Sequence, residues 1–139
     1  MEEELTCKER VRSSYKRRMA DIRKLWNLYK KDPEARTKDG ETWYEYGLSF
    51  DYVPAGTFNN QKRGFFRYQI SYGGPSEEFR IYSDEQLNLT TCNFHFLDWF
   101  DGASVRVTGH NLETWLEIWE DFKDCETLQY LMTQAGVGK

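Results

Sequence analysis

The first part of the chain has apolar residues at helical spacing. Thr6 and Glu9 match a capping box, in which each side chain satisfies a backbone N–H that the start of a helix leaves free. Apolar residues then recur at steps of four and three until Asp32 and Pro33 end the pattern. This apolar stripe consists of Val11, Tyr15, Met19, Ile22, Trp26 and Tyr29. The sequence therefore predicts a long helix over 6–31 that buries the stripe; a stripe left uncovered would indicate a dimer or partner interface.

The middle of the chain has the period of β-strands. Residues 32–45 contain Pro33, Gly40 and many charges, which predicts a loop or a flexible hinge. From there to residue 108, short runs of alternating apolar and polar residues predict a sheet with one buried face. The predicted strands lie at 46–52, 66–72, 79–81, 92–100 and 105–107. The segment 73–76 predicts a turn, and Asp101-Gly102 predicts a hairpin turn between the last two strands.

The end of the chain returns to helical spacing, over residues 111–135. Asn111 is a suitable N-cap for a helix whose apolar side is rich in tryptophan. A second apolar group at 128–132 predicts a last short helix that ends at Gly136. The predicted fold class is therefore α+β. We expect an antiparallel meander of four or five strands, with a long N-terminal helix and one or two C-terminal helices on one face.

The length and composition of the chain limit the number of domains and the classes of protein to which it can belong. A chain of 139 residues has the usual length of a single domain, so we expect one domain over 1–139. The polar N-terminus has no signal-peptide core, and no apolar segment approaches the roughly 18 residues of a membrane span. Three dispersed cysteines without a paired spacing fit a reducing compartment. We therefore expect a protein of the cytoplasm that does not associate with membranes.

The net charge of −4 conceals a division along the chain. Residues 1–40 hold 12 Lys and Arg against 8 Asp and Glu, whereas residues 41–139 hold 7 against 15. The first predicted helix has ten cations and two acids, and the segment 113–126 has six acids and one lysine. This division predicts a protein with a basic and an acidic surface, unless the two halves neutralise each other within the chain.

Residue types that bind metals or act as nucleophiles are few. Cys92 and His95 have a metal-ligand spacing, but a separation of three along a strand places them on opposite faces. A nucleophilic Cys92 or Cys125 needs surroundings that lower its pKa, and a small buried thiol is the simpler interpretation. The glycine turn at 73–76 lacks the spacing of a phosphate-binding loop. We therefore predict no metal site and no cofactor.

Two groups of carboxylates are the remaining candidates for catalysis. Asp98 and Asp101 flank the predicted hairpin turn, and Glu77 and Glu78 follow the glycine turn. Acid–base catalysis requires such groups to be buried together, for example with His95 in one pocket. Acids beside a turn are more often turn formers. We therefore predict that the protein is not an enzyme, and whether Asp98, Asp101 and His95 converge decides this question.

The two charged helices are the predicted binding surfaces. Four basic residues of the first helix can contact nucleic-acid phosphates or an acidic protein: Arg10, Arg17, Arg18 and Lys24. Four acidic residues of the C-terminal helix can imitate a phosphate backbone in the basic groove of another protein: Glu113, Glu117, Glu120 and Asp121. Exposed rings such as Phe65 or Tyr82 can stack on bases, although strand periodicity favours a core position for most rings.

Two segments resemble a small protein family that is carried by phages and plasmids. They are 64–80, GFFRYQISYGGPSEEFR, and 96–103, FLDWFDGA. The resemblance implies a mobile-element origin, where short acidic proteins often inhibit host defence, as anti-CRISPR and anti-restriction proteins do. The basic first helix departs from a simple DNA mimic. We therefore expect a non-enzymatic inhibitor of a bacterial nucleic-acid-targeting defence complex in the host cytoplasm; the alternative is a nucleic-acid-binding accessory protein that uses the basic helix.

Overall fold

Four helices and five strands make up the structure, a computed structural model that describes residues 6–98 and 101–137. The helices are α1 (Cys7–Lys31), α2 (Trp43–Tyr46), α3 (Gly109–Asp124) and α4 (Thr127–Gln134). The strands are β1 (Ser49–Val53), β2 (Phe65–Ser71), β3 (Ser76–Ser83), β4 (Leu89–Asp98) and β5 (Asp101–Arg106). Each strand pairs antiparallel with the next along the chain, in the order β1-β2-β3-β4-β5. The predicted α+β meander is confirmed, with five strands and two C-terminal helices.

The helices cover one face of this sheet. Cross-strand pairing aligns one apolar residue from each strand in a row: Phe50, Tyr68, Phe79, Phe94 and Val105. Trp115 of α3 packs against this row, with its ring 5.4 Å from that of Tyr68 and 5.0 Å from that of Phe79. α1 packs on β4 and β5, beside α3. The core is therefore a layer of large rings between the sheet and the helices.

α1 buries its apolar stripe within its own chain. Val11, Met19, Ile22 and Trp26 are buried, as the sequence pattern predicts. The capping box also forms, since the Thr6 hydroxyl accepts from the Glu9 N–H and the Glu9 carboxylate accepts from the Thr6 N–H. Because the stripe is covered by the sheet and by α3, it is not a free interface for a second copy.

Most of the segment 32–45 is a loop, as predicted, and only its last residues differ from the prediction. Its end forms α2, and Thr42 caps that helix by accepting from the Glu45 N–H. Trp43 is buried, and its ring stacks on Tyr68 with 5.7 Å between the ring centres. The spacing of Thr42 and Glu45 is a capping-box signal that the many charges of the segment obscured. As a result, β1 begins at Ser49, three residues later than predicted.

Two local predictions near the sheet end and α3 are wrong. Asp101 and Gly102 are the first residues of β5, paired with Asp98 and Leu97, so they are not the hairpin turn. The predicted continuation of β4 through Trp99 and Phe100 lies outside the described residues. Asn111 is not an N-cap either, because α3 begins two residues earlier and Thr108 occupies the cap position. Asn111 instead connects two helices: its Oδ1 accepts from Arg23, and its Nδ2 donates to the Tyr15 hydroxyl.

Candidate binding surface on the first helix

Eight of the ten cations of α1 fall into a sheet-facing group and a solvent-facing group, and the other two, Arg23 and Lys30, contact α3. The sheet-facing cations contact acidic groups of the sheet, whereas the solvent-facing ones are exposed. This separation follows from the helical repeat, which directs residues three or four apart to the same side. Of the four predicted contact residues of α1, Arg10, Arg17 and Lys24 follow at steps of seven and share one side of the helix, whereas Arg18 is turned toward Glu77.

The sheet-facing group is centred on Glu77, a buried carboxylate at the start of β3. Arg18 binds it with two guanidinium nitrogens, at 2.6 Å to Oε1 and 3.2 Å to Oε2. The hydroxyls of Ser14 and Ser71 also donate to this carboxylate. Arg17 is 3.6 Å from Oε2, but its side chain remains 63% exposed. Arg18 is thus fixed inside the molecule, while Arg17 stays accessible to a partner.

The protonation of this cluster follows from its contacts. Burial alone would raise the pKa of Glu77, but the hydrogen bonds from Arg18, Ser14 and Ser71 outweigh it and hold the pKa below its ordinary value. The same carboxylate raises the pKa of Arg18. Both groups are therefore charged at neutral pH. They form an ion pair that holds α1 against the sheet.

Asp98 and Asp101 also serve to dock α1. Asp98 accepts from the Arg10 guanidinium at 2.7 Å, and the Arg10 guanidinium lies 4.7 Å from the centre of the Phe96 ring. The Asp101 carboxylate accepts from the Cys7 N–H at 2.8 Å, one of the backbone donors that a helix start leaves free. That hydrogen bond lowers the pKa of Asp101. Arg10 is therefore engaged within the chain and only partly available to a partner.

His95 does not join these two aspartates. Asp98 faces the helix layer through Arg10, while His95 belongs to the alternate set of β4 residues on the other face of the sheet. Burial, and next the charge of Arg80, lower the pKa of His95 to about 4, so the imidazole is neutral at pH 7. Asp98, Asp101 and His95 therefore form no common pocket.

The other candidate pairs are also separated. Glu77 and Glu78 are successive strand residues on opposite faces, so they cannot share a proton or a metal ion. Cys92 is buried on the face opposite to His95, as predicted, and burial raises the pKa of its thiol. Cys125 is exposed, in contrast to the expected buried thiol. Within 6–98 and 101–137, no three His, Cys, Asp or Glu residues are grouped so that they could hold a metal ion.

The solvent-facing group consists of five exposed cations distributed along α1. Its members are Lys8, Arg12, Lys16, Lys24 and Lys31, and none of them forms an ion pair with a described residue. We call these five residues the basic row. The first three follow one another at steps of four residues, which corresponds to about 6 Å of helix rise per step. Of the four predicted contact residues on α1, only Lys24 belongs to this row, and Arg17 lies at its border.

The predicted acidic residues of α3 are partly engaged within the chain. Glu117 accepts from the Trp26 indole at 3.0 Å and from Lys30 at 2.6 Å, which connects α3 to α1. Glu113 contacts His110, and Glu120 lies 3.6 Å from Lys123. Asp121 is half-buried, and burial raises its pKa. Glu113 and Glu120 are therefore the predicted residues whose carboxylates are most accessible to a partner.

The sequence alone did not identify Ser14 and Ser71 as functional residues. It also did not predict that the Glu77 carboxylate is buried against α1. A signal for them exists in the pattern. Ser14 and Arg18 are four residues apart on the buried side of α1, and Glu77 alternates with the buried Phe79 and Ile81. A polar residue in each of two apolar patterns indicates a buried polar contact between them.

Comparisons of the chain with protein families, with curated proteins and with solved structures give no match in any of the three. Among the described helices, none combines the length and the apolar character that crossing a bilayer requires.

Proposed function

We propose that this protein is a non-enzymatic binding protein that contacts an acidic partner surface through the basic row of α1. The observation behind the proposal is that Glu77, Asp98 and Glu117 neutralise other cations of α1, while the basic row has no ion pair with a described residue. An exposed row of one sign on a rigid helix attracts a surface of opposite sign and orients it. The fixed helix lowers the entropic cost of binding, because its backbone is already ordered.

The partner that we propose is a protein of a bacterial nucleic-acid-targeting defence complex, inhibited by direct contact. Two features support it. The segments 64–80 and 96–103 resemble a phage- and plasmid-borne family, and the exposed carboxylates of Glu113 and Glu120 lie on a helix that packs beside α1. A surface with both signs can match an acidic and a basic patch of a nucleic-acid-handling protein at once.

A plasmid-interference experiment tests this proposal. Bacteria with an active CRISPR or restriction system express the chain, and the transformation efficiency of a targeted plasmid is measured. We expect the wild-type chain to restore transformation and the variant Lys16→Glu/Lys24→Glu to lose this effect. The matched control is Arg36→Glu/Lys38→Glu, which makes the same charge change at exposed positions of the loop after α1. Protection that is absent for every defence system tested, or unaffected by the α1 variant, would refute the proposal.

Direct nucleic-acid binding by the basic row is the second candidate function. The four-residue steps from Lys8 to Lys16 favour it, because evenly spaced cations can follow the phosphates of one strand. Binding to a DNA duplex is measured as a function of salt concentration. We expect the slope of log K against log salt to fall by about 2 when Lys16 and Lys24 are replaced by Glu, and an unchanged slope would rule this candidate out.

A further inference from the structure

The helix-free face of the sheet has a depression that the proposed function does not use. The loop 54–64 folds over this face, and Phe58 of the loop stacks on Phe65 of β2 with 6.4 Å between the ring centres. The space between this loop and the strands measures about 520 Å³. Its main lining residues are Phe58, Lys62, Arg63, Arg80, Tyr82 and Asn93. This volume is within the range of small-ligand sites.

The depression is cationic, although it lies in the acidic part of the chain. Lys62, Arg63 and Arg80 line it, and no carboxylate does so among the described lining residues. The Arg80 Nε donates to Glu78 at 2.7 Å, and Arg63 also lines a neighbouring pocket with Asp84 and Glu85. The described lining side chains themselves therefore carry three positive charges and no negative charge. The depression therefore favours an anionic ligand.

Aromatic rings pack against the guanidinium groups of Arg63 and Arg80, and several N–H groups of these guanidinium groups have no described acceptor. The Arg80 guanidinium lies 5.0 Å from the centre of the Phe65 ring, and the Arg63 guanidinium lies 5.0 Å from that of Tyr82. Arg80 uses only its Nε toward a described residue, and the Arg63 guanidinium has no described hydrogen-bond acceptor. Stacked guanidinium groups with unpaired terminal nitrogens are pre-organised to bind a phosphate with two parallel hydrogen bonds.

The same depression offers surfaces for a planar group. Phe58 is 43% exposed, so part of its ring is accessible, and the Arg80 guanidinium lies 5.8 Å from the ring centre. Phe65, in contrast to the expectation of an exposed base-stacking ring, is buried beneath it. The polar lining includes Asn59, Asn60 and Asn93, whose amides can donate to and accept from the edge of a base. The depression thus offers hydrogen-bond donors for a phosphate, a ring for stacking and amides for the edge of a base. These three features match the phosphate and the base of a nucleotide.

We propose that this depression binds a nucleotide unit, either free or as part of a single strand. The phosphate pairs with Arg63, Arg80 and Lys62, and the base stacks on Phe58. Because the site lies on the opposite face of the sheet from α1, it is independent of the basic row. Partner binding by α1 and nucleotide binding by the depression can therefore succeed or fail separately.

The test uses the full chain with two probes, AMP and a labelled oligothymidylate of about ten nucleotides. Amide NMR spectra locate the contact, and fluorescence anisotropy gives the affinity. We expect shifts confined to residues 58–63 and 80–93. Lys62→Ala/Arg63→Ala should weaken binding about tenfold through the loss of phosphate contacts. Phe58→Leu should weaken it about fivefold through the loss of stacking. These exposed positions leave the Arg80–Glu78 pair intact, and a circular dichroism melt confirms folding of each variant.

The matched control is Arg36→Ala/Lys38→Ala, which removes two exposed cations from the loop after α1 and should leave binding at the depression unchanged. Binding of AMP supports a free nucleotide, and binding of the oligonucleotide alone supports a single strand. The proposal is overturned if neither probe shifts residues 58–63, if inorganic phosphate competes as well as AMP does, or if the Lys62/Arg63 variant binds like the wild type.

Discussion

Glu77 and Glu78 are neighbours in β3, and both side chains are buried although they lie on opposite faces of the sheet. A carboxylate loses hydration when it is buried, so it remains charged only if a cation and hydrogen-bond donors replace the water. Arg18 does this for Glu77, and Arg80 does it for Glu78. Neither glutamate is free for catalysis, and both are instead part of the packing.

Replacing Glu77 by Gln should destabilise the fold by about 3 kcal/mol, because Arg18 would remain in its site without a counter-charge. The free energy of unfolding in urea measures this change. Folding lowers the pKa of Glu77, so its contribution is present above the ordinary glutamate pKa and is lost as the pH falls through the lowered value. The difference between wild type and variant should therefore shrink in acid. Glu41→Gln, at an exposed position, is the control and should change stability by less than about 0.5 kcal/mol.

His95 should make stability depend on pH in a separate window. Burial, and next the charge of Arg80, lower its pKa from 6.5 to about 4 in the folded state. The unfolded chain therefore binds a proton first, and stability should fall as the pH decreases from 6.5 to 4. His95→Gln should remove this part of the decrease, measured as the urea midpoint at a series of pH values. Parallel curves for the two proteins would contradict the prediction.

At the scale of elements, Asn111 joins α1 to α3 instead of capping α3. Asn111→Ala should lower the free energy of unfolding by about 1–2 kcal/mol, because Arg23 and Tyr15 each lose a hydrogen-bond partner. Thr108→Ala is the control, since Thr108 holds the cap position without a side-chain hydrogen bond. In a double-mutant cycle, Asn111→Ala and Tyr15→Phe should be non-additive. Additive effects would mean that the hydrogen bond between Asn111 and Tyr15 does not contribute to stability.

The sequence predicts well those elements in which the apolar pattern repeats many times. The α1 stripe and the alternation in β2 and β4 repeat often enough to identify both the element and its buried side. Short sequence patterns give wrong predictions where a tertiary contact determines the local structure. Trp43 orders its segment because it packs between Trp26 and Tyr68, and Asp101 enters a strand while it binds the start of α1. Which cations of α1 face Glu77 depends on docking, so the solvent-facing row was not predictable from charge counts.

At the scale of the whole molecule, the charge division is only partly neutralised within the chain. Arg10, Arg18 and Lys30 of the basic half pair with acids of the other half, but their surroundings differ. The Arg18–Glu77 pair is largely buried, whereas both side chains of the Lys30–Glu117 pair are exposed to solvent. Solvent screens an exposed pair, so its contribution is small. The molecule therefore keeps a basic helix surface beside an acidic body.

A graded series of neutral substitutions tests this description of the charge. Arg18→Gln should cost about 3 kcal/mol, since it leaves Glu77 buried without its cation. Lys30→Gln should cost less than about 1 kcal/mol, because Glu117 stays hydrated. Lys24→Gln removes a cation of the basic row and should change stability by less than about 0.5 kcal/mol. Urea unfolding at low and high salt measures all three, and only the Lys30 effect should decrease with salt. A large cost for Lys24→Gln would mean that the basic row stabilises the fold, and its cations would then no longer be free to bind a partner.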